Sequence, residues 1–106
     1  MISFNDFKKM EMKVGMVKKA EEIPNSKKLV KMQVDIGGTM KQVVAGIKEY
    51  YKPNELEGKQ FIFVTNLEPA KLMGELSEIM ILAAVKDNKV VLVCPEKEIE
   101  NGAVIE

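Results

Sequence analysis

Between residues 30 and 36 the chain alternates without a break. Val30, Met32, Val34 and Ile36 are apolar, while Lys31, Gln33 and Asp35 between them are polar. Period-two alternation puts successive side chains on opposite faces, so this run is a strand with one face toward a core and one toward water. Gly37-Gly38 follow and predict a tight hairpin turn. Residues 40–45 return as the next strand, with Lys41 and Gln42 near its exposed start. A lone hairpin is marginal in water. The remaining residues must therefore supply more strands to close a core.

They do so in a definite order. Ser3-Phe4-Asn5-Asp6 opens like a capping box, with aspartate where glutamate is preferred. Phe4, Phe7 and Met10 then recur at helical spacing. Met12, Val14 and Met16 alternate with Lys13 and Gly15, and the alternation slips at Val17. A glycine followed by a slip predicts a bulge or sharp coil. Pro24-Asn25-Ser26 is turn chemistry. After Gly46, residues 47–51 are expected as a short helix closed by Pro53, which disfavours helix at Lys52. Residues 60–64 form a fourth strand and residues 80–85 a fifth, which Asp87-Asn88 turns into 89–94. At least one of Tyr50 and Tyr51 is expected to cover the end of the barrel. Three meandering strands, a short helix and two further strands is the order of the OB-fold. That fold is a small five-stranded barrel whose loops between strands one and two, and four and five, bind oligonucleotides. The expectation is all-β: one domain over residues 1–106, with accessory segments at both ends. An SH3-like barrel is the structural competitor.

Composition narrows the chemistry. At 106 residues the chain holds a real core without staples. No apolar run approaches the roughly 20 residues that span a bilayer, and no basic-then-apolar leader opens the chain. The single cysteine, Cys94, lies in an apolar run and reads as a buried small hydrophobe. There is no histidine, which removes the usual acid–base agent near neutral pH, and no Cys/His set for zinc. No nucleophile–base pair or phosphate-binding glycine loop appears, so catalysis, cofactors and metal are not expected. Net charge is zero but unevenly spread. Residues 1–60 carry 12 lysines against 8 acids, and residues 61–106 carry 4 against 8. Every cation is lysine, which makes point-charge contacts to phosphate but lacks the fork that reads guanine edges.

The most specific stretch is Asn66 to Met80, between the fourth and fifth strands. It is too long for a tight turn and too polar for core. Leu67, Leu72, Met73 and Leu76 would pin it to the protein as an anchored loop presenting short polar groups. Its pattern is Asn66-Leu67-x-Pro69-x-Lys71-Leu72-Met73-Gly74-x-x-Ser77-x-x-Met80-x-Leu82-Ala83-Ala84. Together with Asp6-Phe7, Met12-Lys13-Val14-Gly15, Pro24-Asn25-Ser26-Lys27-Lys28-Leu29, Val43-Val44-Ala45-Gly46-Ile47 and Tyr51-Lys52-Pro53, it resembles the tRNA-binding OB domain family. That family is related to the C-terminal appendix of methionyl-tRNA synthetases and to the domain of the endothelial monocyte-activating polypeptide.

The resemblance implies tRNA bound by shape at the outer corner of the L. It also implies a homodimer joined through the terminal segments, an aminoacyl-tRNA synthetase as a working partner, and a cytoplasmic location. Carried over by position, Asn66, Lys71, Ser77 and Met80 fall on the RNA-facing motif and Lys28 on the loop between strands one and two. Alternation also allows Met80 a core role. Lys18, Lys31 and Lys41, with Lys19 and Lys27, are candidates for one basic face. Two positions depart from the pattern. Ala70 stands where many members carry a basic residue, and Ile79 where many carry glycine. A secretion-chaperone branch resembles the same domain, so a peptide-binding protein is the competing reading; methionine-rich surfaces suit adaptable apolar contacts. A third is a structural subunit that docks on a synthetase without binding RNA itself.

Overall fold

A computed structural model describes all of residues 1–106. Helix α1 (Phe4–Lys8) leads into strands β1 (Met12–Glu22), β2 (Val30–Asp35) and β3 (Met40–Ala45). After α2 (Pro53–Leu56) come β4 (Gln60–Val64), β5 (Ala70–Leu72), β6 (Glu75–Ser77), β7 (Met80–Ile81), β8 (Ala83–Lys86) and β9 (Lys89–Leu92). The main sheet is antiparallel in the order β3-β2-β1-β4-β7. It curls until β3 approaches β6 and β7, giving the OB-type barrel that the strand order predicts.

The long β1 makes this curl possible. Its first half pairs with β4 and its second half with β2. The switch occurs around Gly15, where a Cβ would stand 2.5 Å from Ile36 Cδ1 and 2.8 Å from Val34 Cγ1. Just beyond, the register with β2 shifts between Val17 and Lys19. The extra residue of this bulge turns the strand across the barrel end. At that point Gly58 N–H donates to Val17 O and Val17 N–H to Lys59 O, tying the α2–β4 turn to the bend.

Val17, Val30, Met32, Val34, Val43, Leu56, Phe61 and Phe63 fill the barrel. A smaller cluster, Met12, Val14, Ile62 and Val64, lies outside it under Phe7, Leu82, Ala103 and Ile105. This second layer explains why β4 is apolar from Phe61 to Val64: both of its faces are covered there. The tail is held by backbone bonds from Val14 N–H to Ala103 O and from Ile105 N–H to Met12 O.

Five local expectations change. Residues 47–51 make a single turn, with Tyr50 and Tyr51 N–H both donating to Ile47 O. The helix starts at Pro53 rather than ending there, because a proline in the first turn loses no hydrogen bond. Residues 66–79 are not a plain loop but hold the β5–β6 hairpin, turned by Met73 (φ 49°) and Gly74 (φ 79°). Positive φ at both central residues is the type I′ geometry that fits strand twist. The expected fifth strand divides at Leu82 into β7 and β8, which pair with β4 and β9 respectively. Cys94 is exposed rather than buried. The β9 ladder ends at Leu92, and Cys94 follows it directly before Pro95. Tyr51 does cover the barrel end, packing on the core with its hydroxyl accepting from Leu92 N–H at 3.1 Å, while Tyr50 stays exposed.

Candidate nucleic-acid interface

Two connections converge at one end of the barrel. The first joins β1 to β2 and carries Lys27 and Lys28, both exposed. Its shape comes from Ser26, which is buried beneath it. Ser26 Oγ accepts from Lys28 N–H (3.3 Å) and Leu29 N–H (3.0 Å). Asn25 takes the left-handed conformation at φ 68°, which asparagine tolerates better than most residues. Lys48 clamps the loop from the β3–α2 connection: its Nζ donates to Ser26 O at 2.7 Å and its backbone N–H to Lys28 O at 3.0 Å. The Lys28 backbone is thus fixed while its ammonium is left toward solvent without a carboxylate within ion-pair distance.

The second connection is the β5–β6 hairpin. Its register against the barrel is set at the seam between β3 and β6–β7. Glu78 N–H donates to Gln42 O (2.8 Å) and Gln42 N–H to Glu78 Oε1 (3.0 Å). Val44 N–H donates to Ser77 Oγ at 3.0 Å, and that hydroxyl donates to Ile79 O at 2.9 Å. Glu75 then lies beside Lys31, whose strand partner is Val44. The hairpin tip therefore points toward the start of β2, where the Lys28 loop emerges. Lys71, paired in register with Leu76, is exposed on this hairpin and free of a carboxylate partner.

The other expected residues take varied places. Asn66 is exposed, yet its Oδ1 accepts from Glu11 N–H (2.9 Å) and its Nδ2 donates to Lys9 O (2.7 Å), so its amide fastens the α1–β1 connection to the end of β4. Ser77 is buried and closes the seam. The hydrogen-bonding groups of these two residues, which fall on the motif expected to face RNA, are engaged within the fold. Met80 is exposed beside its buried neighbour Ile81, so the core role that alternation allowed it does not hold. Lys31 sits between Glu21 Oε1 (3.3 Å) and Glu75 Oε2 (3.4 Å). The Glu21 bond, and then Glu75, raise its pKa against the opposing effect of partial burial. Lys41 contacts Glu78 at 3.6 Å. Lys18 lies toward the far end of β2, near Asp35. The Asp35 carboxyl is held below its ordinary range chiefly by Gly38 N–H, then by Gly37 N–H and Asn101, with Lys18 adding attraction and burial opposing. The expected single basic face is thus divided. Lys28, Lys31 and Lys71 share one end, while Lys18 and Lys41 lie along the barrel toward the other.

Ser26, Lys48 and Glu75 were not legible as site residues. Ser26 alone carried a local signal, since serine after Pro-Asn accepts backbone N–H groups in such turns. The hairpin also exposes Leu72, Met73 and Leu76 beside Leu67 and Met80. A groove of about 190 Å³ runs between Leu67, Leu72 and Met80 over Val44 and Ile79. No helix is long and apolar enough to cross a membrane.

The family described as "Putative tRNA binding domain" matches residues 12–104. A methionine–tRNA ligase of Archaeoglobus fulgidus is 54% identical over 101 residues, covering 95% of this chain and 15% of the ligase. The chain thus spans under a sixth of that relative. Among solved structures, a MetRS-related protein of Pyrococcus horikoshii is 43% identical with a TM-score of 0.95, covering 100% of this chain and 98% of that one. The chaperone CsaA of Bacillus anthracis is 35% identical with a TM-score of 0.91, covering 100% and 99%. With two loops converging at one barrel end and the family pattern running through both, the chain belongs to the tRNA-binding domain family.

Proposed function

We propose that this chain binds folded tRNA through sugar–phosphate contacts and shape, without catalysis, and works in the cytoplasm alongside an aminoacyl-tRNA synthetase. The observation that carries this reading is the placement of Lys28 and Lys71 on two rigidly held connections at the same barrel end, both free of carboxylate partners. Folded RNA presents phosphates and 2′-hydroxyls along a fixed contour, and proteins match it mostly by shape. Lysines on a rigid frame meet such a contour with little ordering cost. Met80 and the exposed leucines of the hairpin offer apolar contact to an unstacked base. Asn66 serves by fastening the α1–β1 connection to the end of β4, and Ser77 by holding the hairpin against β3. Lys18 and Lys41 reach RNA only where it extends along the barrel.

The partner surface is assigned to the termini. Phe4, Phe7, Met10, Met12, Val104 and Ile105 line a groove of about 360 Å³, and Phe4 and Val104 are largely exposed. A second copy covering this face makes a homodimer, which lets two modest sites hold one large RNA. A gel shift of bulk tRNA at two salt concentrations, with a solution mass of the free protein, tests both parts. A salt-weakened complex and a mass near 24 kDa, twice the 11.9 kDa chain, are expected. Absence of a complex at low salt contradicts the first part, and a monomeric mass the second.

The exposed apolar hairpin and the likeness to the Bacillus anthracis chaperone favour one further reading, capture of unfolded peptide at the same groove. Retention of a labelled unfolded peptide with no retention of tRNA would select it.

A further inference from the structure

Lys31 is over-supplied with negative charge. Glu21 is its direct cross-strand partner on β1, and opposite charges at such positions already balance. Glu75 adds a second carboxylate from the hairpin at 3.4 Å. The three groups together carry a net charge of −1, at the barrel end where Lys28 and Lys71 face solvent. The Lys31–Glu75 pair is not sealed off: the side chains are 22% and 34% exposed. Partly exposed pairs are held weakly and are exchangeable.

We infer that Glu75 is a specificity-determining residue that competes internally with RNA phosphate, its carboxylate holding on Lys31 the place a phosphate oxygen would take. This rests on the tRNA-binding reading above. A phosphate reaching Lys31 must displace Glu75 or pass it by. RNA that delivers phosphates to Lys28 and Lys71 together compensates for that exchange, whereas scattered contacts do not. The hairpin carries both the free Lys71 and the competing Glu75, so one element sets both attraction and its limit.

The test is tRNA affinity measured across salt for Glu75→Gln, with Glu68→Gln as control. Glu68 lies on the same connection and removes the same charge, but contacts no lysine. At low salt Glu75→Gln should bind tRNA roughly two- to fivefold more tightly, the range of an exposed ion pair. Its log–log salt slope should steepen by roughly 0.7 to 0.9, one phosphate contact. Adding Lys31→Met to Glu75→Gln should return both to the parent values. Glu75→Asp, which withdraws the charge by one methylene, should move in the same direction as Glu75→Gln. Equal gains for Glu75→Gln and Glu68→Gln would overturn the inference, leaving only long-range repulsion. Weaker binding by Glu75→Gln at unchanged melting temperature would overturn it too, making Glu75 a brace for the hairpin. If the parent protein and every variant fail to retain tRNA, the tRNA reading itself falls.

Discussion

The two connections at the candidate RNA-binding end are built on opposite plans. The loop carrying Lys28 has no strand of its own. It is shaped by one buried hydroxyl, Ser26, and by the Lys48 clamp, and its exposed charges are both positive. The segment after β4 is self-paired as the β5–β6 hairpin, exposes leucines and methionines, and carries Glu68, Glu75 and Glu78 against a single Lys71. The first region supplies charge on a fixed backbone. The second supplies shape and apolar contact, with its own acids limiting the attraction. A surface that is neutral in sum thus still presents a cationic point beside a contoured, weakly anionic lip. That arrangement suits recognition of a folded polyanion better than capture of any polyanion.

The largest effect should come from the hairpin's anchor. Ser77→Ala leaves buried Val44 N–H without its acceptor, at a cost of about 1–3 kcal/mol, read by chemical denaturation. The loop's anchor should cost less: water readily takes over the 3.3 Å bond from exposed Lys28 N–H, so the loss is chiefly the 3.0 Å bond from Leu29 N–H, about 0.5–1.5 kcal/mol net. Ser26→Ala should therefore fall near that range. It should also weaken tRNA binding although no charge is removed. Unchanged affinity in Ser26→Ala would mean that Lys28 needs no fixed backbone. Next come the free cations. Lys28→Ala and Lys71→Ala should each lower the salt slope by roughly 0.7–0.9 and weaken binding uniformly across tRNA species. A species-dependent loss would indicate base readout. Lys41→Ala should change affinity by less than about twofold, since Glu78 already neutralises it at an exposed position. The smallest effect on binding is expected at the far end of the barrel, where Asp35 contributes to stability instead. Its carboxyl is lowered in the folded state, so its contribution is complete above the ordinary aspartate range. It is lost as pH falls through the lowered folded value. Asp35→Asn should flatten the acid limb of a stability–pH curve and leave tRNA affinity as it was.

The sequence was legible where period two ran unbroken. The alternation of residues 30–36, the glycine turn after it and the slip beyond Gly15 marked β2, β3 and the bulge in β1. The order of strands around one short helix marked the barrel. It was misleading where local chemistry had two uses. Pro53 reads equally as a helix stop and as a first-turn residue, and only the tertiary contacts of Leu56 with the core decide. The β5–β6 hairpin was hidden because Ala-Lys-Leu and Glu-Leu-Ser lack β-branched residues; its pairing is set by the Met73-Gly74 turn and the seam with β3. At the candidate interface, motif position singled out Lys28 and Lys71, and both are exposed and free of carboxylate partners. The engagement of Asn66, Ser77, Lys31 and Lys41 could not be read, because, the Ser77 bond to Ile79 O aside, their partners lie 10 or more positions away in the chain.

The most direct test is the salt dependence of tRNA binding by the protein lacking both Lys28 and Lys71. If the two connections form one surface, the log–log slope should fall by the sum of the single losses, roughly 1.4–1.8, with the fold's melting temperature unchanged. A double variant that binds tRNA with the parent's affinity and slope would contradict the account, because the RNA would then be held elsewhere on the molecule.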